Sequence, residues 1–181
     1  MHNIFLDDHE PETLDSFLGH NEEGRNNLGD EVPVTVYRLL EYSLKLELRN
    51  RYDKETQISI FRSAGRMAGE YFTRTYLDTT LSYDAFISLL QEKLEEFKIG
   101  VLRIENIDEE TGKIILTVSE DADCSGLPVL GETVCNYDEG FLSGILSTYT
   151  GKEYNAVEVD CWATGDRVCR FHVNVQEKKH G

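Results

Sequence analysis

Apolar residues recur at helical spacing in three stretches of the first half of the chain. Residues 34–51 place charged residues opposite an apolar side formed by Val36, Leu39, Leu40, Leu44 and Leu48. Residues 54–76 follow as a second helical stretch. In the third, Ser82 stands at the N-cap position, Leu81 and Phe86 have the spacing of a hydrophobic staple, and the apolar stripe continues to about residue 98. The pattern therefore predicts three consecutive helices.

The second half of the chain has the pattern of two hairpins separated by one helix. Residues 100–107 and 113–119 are rich in β-forming residues and flank a Gly-containing turn, and residues 153–162 and 167–175 repeat that arrangement. Between them, Asn136 and Glu139 have the spacing of a capping box, and Gly151 supplies a stop. The order predicts an α+β fold in which an antiparallel sheet of about four strands packs against the N-terminal helices.

Small residues interrupt the second helix as two pairs four positions apart, namely Ala64 with Gly65 and Ala68 with Gly69. Glycine inside a helix costs about 1 kcal/mol relative to alanine, so we expect close packing there as compensation. Packing within the chain is the leading interpretation, and a partner subunit or a ligand are the alternatives.

Three of the four cysteines lie where their thiols could converge. Cys161 and Cys169 flank the turn of the last hairpin, so pairing of its strands would bring them opposite each other. Cys135 directly precedes the predicted capping box, at a helix N-terminus that favours the thiolate form. This arrangement predicts a tetrahedral zinc site that needs a fourth ligand.

The residues alone leave that fourth ligand open among Glu158, Asp160, His172 and Cys124. Glu158 and Cys161 would point to opposite faces of a regular strand, so they can share a metal only if the chain bulges near Asp160. Cys124 lies in a loop of about a dozen residues, 119–131, that runs directly into Cys135 and is long enough to carry function.

Cys135, the sequence E-V-D-C at 158–161 and the sequence G-D-R-V-C-R-F at 165–171 are similar to the C-terminal half of the 4-vinyl reductase domain family. The resemblance extends over roughly residues 30–175. It implies a zinc held by Cys135, Glu158, Cys161 and Cys169, with Cys124 as a possible alternative ligand. It also implies a fold like that of the Golgi transport-complex subunits and a homodimer formed through the N-terminal helices.

Composition limits the other classes of function. The 181 residues include 34 acidic and 18 basic ones, giving a net charge of −16, which repels nucleic acids and anionic membranes. Residues 1–32 form an acidic arm, 33–176 the domain and 177–181 a tail. The first residues show neither a basic segment nor an apolar run, and no stretch is long enough to span a bilayer, so we expect a cytoplasmic protein with reduced cysteines.

The resemblance implies a sensory module that binds a hydrocarbon or aromatic molecule and acts through an unidentified signalling partner. Apolar residues of the second and third helices are the candidate pocket: Phe61, Met67, Tyr71, Phe72, Phe86, Leu90 and Phe97. Each of them could equally belong to the core. The alternatives are an enzyme that uses zinc or cysteine on a vinyl-bearing substrate, and a dimeric assembly protein whose zinc only stabilises the fold. Four protein ligands would close a catalytic zinc site to water.

Overall fold

A computed structural model describes residues 13–18, 29, 31–108 and 110–176. Of the acidic arm predicted over residues 1–32, it describes one short exposed helix, α1 (Leu14–Leu18), and a few residues near the start of the domain. The remainder of that arm and the tail predicted over residues 177–181 lie outside the described residues. Residues 31–176 form the unit that carries the features below.

Three helices and then a four-stranded antiparallel sheet follow in the predicted order. The helices are α2 (Val34–Arg51), α3 (Lys54–Tyr76) and α4 (Tyr83–Glu96). Strands β1 (Val101–Asp108) and β2 (Lys113–Ser119) precede helix α5 (Asn136–Thr150), and β3 (Tyr154–Asp160) and β4 (Cys169–Val175) follow it. The sheet order is β1-β2-β4-β3. The predicted α+β class and its antiparallel sheet are thereby confirmed.

The core lies between one face of the sheet and helices α4 and α5. Phe171 and Val173 on β4 are fully buried there, together with Phe86 from α4 and Ile145 from α5. Phe86 stacks on Tyr149 of α5 with 3.8 Å between the ring centroids. Helix α5 is therefore enclosed on one side by the sheet and on the other by α3.

Helices α3 and α5 approach each other so closely that their backbones touch. A Cβ atom added to Gly65 or Gly69 would collide with the carbonyl oxygens of Tyr137 and Phe141, and one added to Gly140 or Gly144 would collide with those of Arg62 and Arg66. The close packing expected from the small pairs of α3 is thus packing within the chain. Its second half, Gly140 and Gly144 on α5, has the same four-residue spacing.

Helix α2 has the predicted amphipathic pattern, but its apolar side faces outward. Leu39 and Leu40 are 70% and 71% exposed, whereas Glu41 and Lys45 on the other side are buried. Lys45 Nζ donates hydrogen bonds to Glu41 Oε1 at 2.6 Å and to the carbonyl oxygen of Val134 at 2.7 Å. The polar side of α2 therefore contacts the rest of the domain.

Two helix starts differ from the prediction. Ser82 does occupy the N-cap position of α4, but its side chain makes no capping hydrogen bond. In α5 the N-cap is Cys135, and Asn136 is the first helical residue. Asn136 Nδ2 instead donates to Glu139 Oε2 at 3.1 Å, because the chain turns into the helix one residue earlier in order to bury the Cys135 side chain.

Candidate metal centre

All four cysteines converge at one end of the sheet. Cys124 comes from the loop between β2 and α5, which spans residues 120–135 and is called the connecting loop here, and Cys135 ends that loop. Cys161 follows β3, and Cys169 opens β4. Their ligand atoms all lie within 4.8 Å of one another, and each residue is at most 1% exposed. The structure thus brings Cys124 into the same group as the three cysteines that the hairpin geometry predicts to converge.

The separations of the sulfur atoms match those of a metal-thiolate site rather than a disulfide. Cys135 Sγ lies 3.8 Å from Cys161 Sγ and 3.7 Å from Cys169 Sγ, and Cys124 Sγ lies 3.2 Å from Cys169 Sγ. Four sulfur ligands at about 2.3 Å from a tetrahedral zinc would be about 3.8 Å apart. All four residues are free thiols. The donor set fits a tetrahedral thiophilic ion.

The four thiols are strongly coupled to one another. Hydrogen bonds from Cys124, Cys135 and Cys169 lower the pKa of the Cys161 thiol. Contacts with Cys124 and the other thiols raise the pKa of Cys135. Four thiolates in one buried site repel each other, so the group can ionise completely only with a cation among the sulfur atoms.

Glu158 lies beside this cluster but does not belong to the group of mutually close donor atoms. Its Oε2 accepts a hydrogen bond from the backbone N–H of Cys135 at 3.1 Å, and its Oε1 is buried without a partner. Burial raises the pKa of Glu158 to about 8, and the nearby Cys161 adds to that rise. The carboxylate therefore anchors the start of α5, and its role as a ligand stays a prediction.

A bulge in β3 explains why Glu158 and Cys161 both face inward. Glu158 pairs with Phe171 and Asp160 with Arg170, so one extra residue, Val159, separates the two pairs. The extra residue reverses the alternation of side chains. The bulge that a shared site for Glu158 and Cys161 required is therefore present.

The other two candidate ligands lie elsewhere. Asp160 makes an ion pair with Arg170. His172 pairs with Ile115 and Val157 across the sheet, and its position three residues from Cys169 places it on the opposite face of β4. Neither belongs to the cysteine cluster.

The turn after Cys161 is held against the connecting loop. Trp162–Thr164 form one turn of 3-10 helix, which ends at Gly165 in a left-handed conformation with φ 104°. The backbone N–H groups of Leu130 and Gly131 donate to the carbonyl oxygen of Ala163, and Trp162 Nε1 donates to that of Leu127 at 2.7 Å. The segments carrying the first and last pairs of cysteines are therefore joined outside the cluster as well.

Helix α2 also holds the connecting loop, through polar side chains. Tyr37 donates to Asp123 Oδ1 at 2.5 Å, Arg38 to the carbonyl oxygen of Ala122 at 2.7 Å, and Tyr42 to that of Asp123 at 3.0 Å. Lys45 completes the row through Val134, next to Cys135. The buried polar side of α2 is thus the contact surface for the loop that supplies two cysteines.

Buried carboxylates accompany the cysteines and are the site feature that the sequence analysis missed. Asp121, Asp123, Asp138 and Glu41 are each at most 9% exposed. Burial raises the pKa of Asp138 well above its usual value and that of Glu41 to about 7, in the latter case with Asp123 adding to the rise and Lys45 opposing it. The signal in the sequence was D-A-D-C at 121–124, in which two acidic residues immediately precede a cysteine.

The seven candidate pocket residues do not line a common cavity. Phe72, Phe86 and Leu90 are packed in the core, whereas Met67 is 54% and Phe97 43% exposed. Phe61 lines an apolar groove between α2 and α3 with a volume of about 190 Å³. The other residues of this groove are Tyr37, Leu40, Glu41, Leu44, Ile60, Ala64 and Tyr137. A second cavity, of about 260 Å³, lies where α3 crosses α5 and is lined by polar residues such as Arg62 and Ser143.

Residues 114–175, from β2 through β4, match the family model of the 4-vinyl reductase domain. This part of the chain is a 4-vinyl reductase domain. The match confirms the resemblance that was based on Cys135 and the last hairpin. Two uncharacterized proteins of Methanocaldococcus jannaschii are similar over more of the chain. MJ0150 is 26% identical over 161 residues, covering 89% of this chain and 86% of that protein, and MJ1642 is 28% identical over 152 residues, covering 84% and 83%.

Solved structures share the fold at low sequence identity. A vinyl-4-reductase family protein from M. jannaschii superposes with a TM-score of 0.56 at 16% identity, covering 83% of this chain and 85% of that one. The phenol-responsive sensory domain of the transcription activator PoxR with phenol gives 0.62 at 14% identity, covering 82% and 77%. A trafficking protein particle complex subunit 3 from Naegleria fowleri, covalently bound to palmitic acid, gives 0.65 at 13% identity, covering 80% and 95%. No helix in the described part of this chain has the length and apolarity to cross a membrane.

Proposed function

We propose that this protein is a sensory-type domain that binds a small hydrocarbon or aromatic molecule and is stabilised by a zinc ion at the four cysteines. The observation that carries the metal half of the proposal is the set of four buried thiols at tetrahedral separations. The ligand half is supported by the match to the 4-vinyl reductase domain and by an apolar groove in the domain.

Zinc is the ion that this donor set favours. Thiolate ligands in a tetrahedral arrangement select zinc or an iron-sulfur centre, and four of them occupy every position of a structural zinc site. Such an ion would connect the connecting loop, the N-terminus of α5 and the last hairpin, and it would contribute directly to the free energy of folding. Closed coordination favours a structural role over catalysis.

The ligand site that we propose is the groove between α2 and α3. Its lining is almost entirely apolar, and its volume of about 190 Å³ suits a molecule of roughly the size of a small aromatic ring with substituents. Similar folds accept such occupants, since the PoxR domain was solved with phenol and the trafficking subunit with palmitic acid.

A homodimer accounts for the outward-facing apolar side of α2. Val36, Leu39, Leu40 and Leu44 are each between 47% and 71% exposed and lie on one side of the helix. Such a row of apolar side chains on one helix favours a protein contact. A second copy of the chain, paired through α2, would cover it and would close the groove, because Leu40 and Leu44 belong to both. A cytoplasmic location and an unidentified signalling partner remain predictions from the sequence.

Metal content per chain, measured beside native mass spectrometry, tests both halves of the proposal. We expect wild-type protein purified under reducing conditions to hold zinc at the cysteines, Cys124→Ser to lose it, and Glu158→Ala to keep it. Zinc retained in Cys124→Ser but lost in Glu158→Ala would instead assign the fourth ligand to Glu158. A copurified apolar or aromatic mass that disappears in Ala64→Phe, which fills the groove, would support ligand binding there. An unchanged mass in that variant would remove the groove from the proposal.

A further inference from the structure

Asp121, Asp138 and Cys135 form a second group of potential metal donors next to the four cysteines. One carboxylate oxygen of each aspartate and the sulfur of Cys135 all lie within 4.8 Å of one another. We propose that these residues hold a second divalent transition-metal ion, bridged to the first by the Cys135 thiolate. The inference rests on the proposed four-cysteine site, since Cys135 is common to both groups.

The unpartnered oxygens of the two aspartates are the first argument. Asp121 is 3% and Asp138 9% exposed, and the Oδ2 atom of each is buried without a hydrogen-bond partner. Asp121 uses its Oδ1 to accept the backbone N–H groups of Asp123 and Cys124, at 2.7 and 3.3 Å, which fixes the direction of its carboxylate. A buried polar atom without a partner is costly, so an oxygen held in this way favours a bound cation.

The balance of buried charge is the second argument. Glu139 is paired with Arg62, and Glu41 with Lys45. Within the described residues, no lysine or arginine forms an ion pair with Asp121 or Asp138, although both adjoin a group of four thiols. One divalent ion among four thiolates leaves a net charge of −2, which makes a neighbouring pair of carboxylates more costly still. A second cation at the aspartates would compensate both.

The donor types indicate which ion would bind. Two carboxylate oxygens and one thiolate form a mixed set that suits Zn²⁺, Fe²⁺ or Co²⁺ better than Mg²⁺ or Ca²⁺, which take oxygen ligands. Three protein donors leave a coordination position open to water or a small molecule, in contrast to the closed four-cysteine site. The second ion would therefore be the exchangeable one of the pair.

The alternative explanation is that Asp121 and Asp138 share a proton and bind no metal. Asp123 offers a matched control, because it is equally buried in the same region, also has an unpartnered Oδ2, and lies outside the donor group. Asp123→Asn removes a buried negative charge without removing a proposed ligand.

The test is to load the full chain with Co²⁺ under anaerobic conditions and to count bound metal by mass spectrometry of the native protein and by elemental analysis. We expect two ions per chain in wild type and Asp123→Asn but one in Asp138→Asn and Asp121→Asn. In wild type, filling the second site should weaken the paramagnetic resonance signal of the first ion, because a bridging thiolate couples their spins. Circular dichroism checks that each variant is folded, and the two aspartate variants serve as replicates.

Two results would overturn the proposal. One is a single ion per chain in wild type, with the four-cysteine site filled, which would leave the proposed function intact and assign the aspartates to a shared proton. The other is a second ion that persists in both Asp138→Asn and Asp121→Asn. Loss of all metal from wild type would instead contradict the proposed function itself.

Discussion

Helices α2 and α5 both border α3, yet they are held in different ways. Helix α5 meets α3 backbone to backbone through Gly65, Gly69, Gly140 and Gly144, a contact that needs only the two helices themselves. Helix α2 turns its polar side inward and is held by Tyr37, Arg38, Tyr42 and Lys45 on the connecting loop. The difference indicates that α3 and α5 are the rigid part of the domain, whereas the position of α2 depends on the loop that carries Cys124 and Cys135.

Removal of the metal should separate the two helices most strongly. Because structural zinc contributes much of the folding free energy of a small domain, we expect chelation to cost several kcal/mol, on the order of 5. Hydrogen exchange should accelerate first in α2 and in residues 120–135, and later in α3 and α5. Simultaneous acceleration in all four segments would show that α2 is not separately coupled to the loop.

Gly65→Val tests the rigid contact directly. A Cβ at this position collides with the carbonyl oxygen of Tyr137, so the helices must move apart, which we expect to cost about 3 kcal/mol or more. Ser59→Val, at an exposed position of α3, is the matched control for the β-branched side chain. Urea unfolding measures both, and similar losses in the two variants would contradict the close approach.

Lys45→Met tests the polar attachment of α2. The substitution leaves Glu41 buried without its ion pair and removes a hydrogen bond to Val134, so we expect a loss of about 3 kcal/mol. Arg51→Met breaks the exposed pair with Glu47 on the same helix and should cost about 0.5 kcal/mol. Equal losses in urea unfolding would mean that the buried pair does not hold the helix.

Leu40→Lys should have the smallest effect on the stability of one chain and a specific effect on assembly. At 71% exposure we expect a change within about 0.5 kcal/mol, together with dissociation of the proposed homodimer. Leu46→Lys replaces a leucine that is 60% exposed on another side of α2 and should leave the dimer intact. Sedimentation equilibrium over a range of concentrations distinguishes them, and a Leu40→Lys dimer would place the interface elsewhere.

The sequence pattern predicted the helices and strands well because their apolar spacing is regular. It could not assign neighbours, as α2 shows: periodicity identifies the apolar side of a helix, but not whether this chain or a second one covers it. Gly140 and Gly144 had the same spacing as Gly65 and Gly69, and recognising the match would have identified α5 as the partner of α3.

The candidate site was predictable where it lies on regular structure. Cys161 and Cys169 flank a hairpin and Cys135 begins a helix, so pattern alone brought them together. Cys124 lies in an irregular loop, where spacing along the chain carries no information about position in space. Its placement follows from Asp121 Oδ1, which accepts the backbone N–H groups of Asp123 and Cys124, and from the hydrogen bonds of Tyr37 and Tyr42 to Asp123.

The sheet order has a consequence for biosynthesis. Strand β4 is the last of the four strands to leave the ribosome, yet it lies between β2 and β3 and supplies every strand pairing of β3. The nascent chain therefore holds an open hairpin of β1 and β2, with its apolar face uncovered, until Cys169–Val175 emerges. We expect nascent chains arrested before Val175 to be engaged by chaperones, and release of that one segment to complete the sheet and the cysteine cluster in a single step.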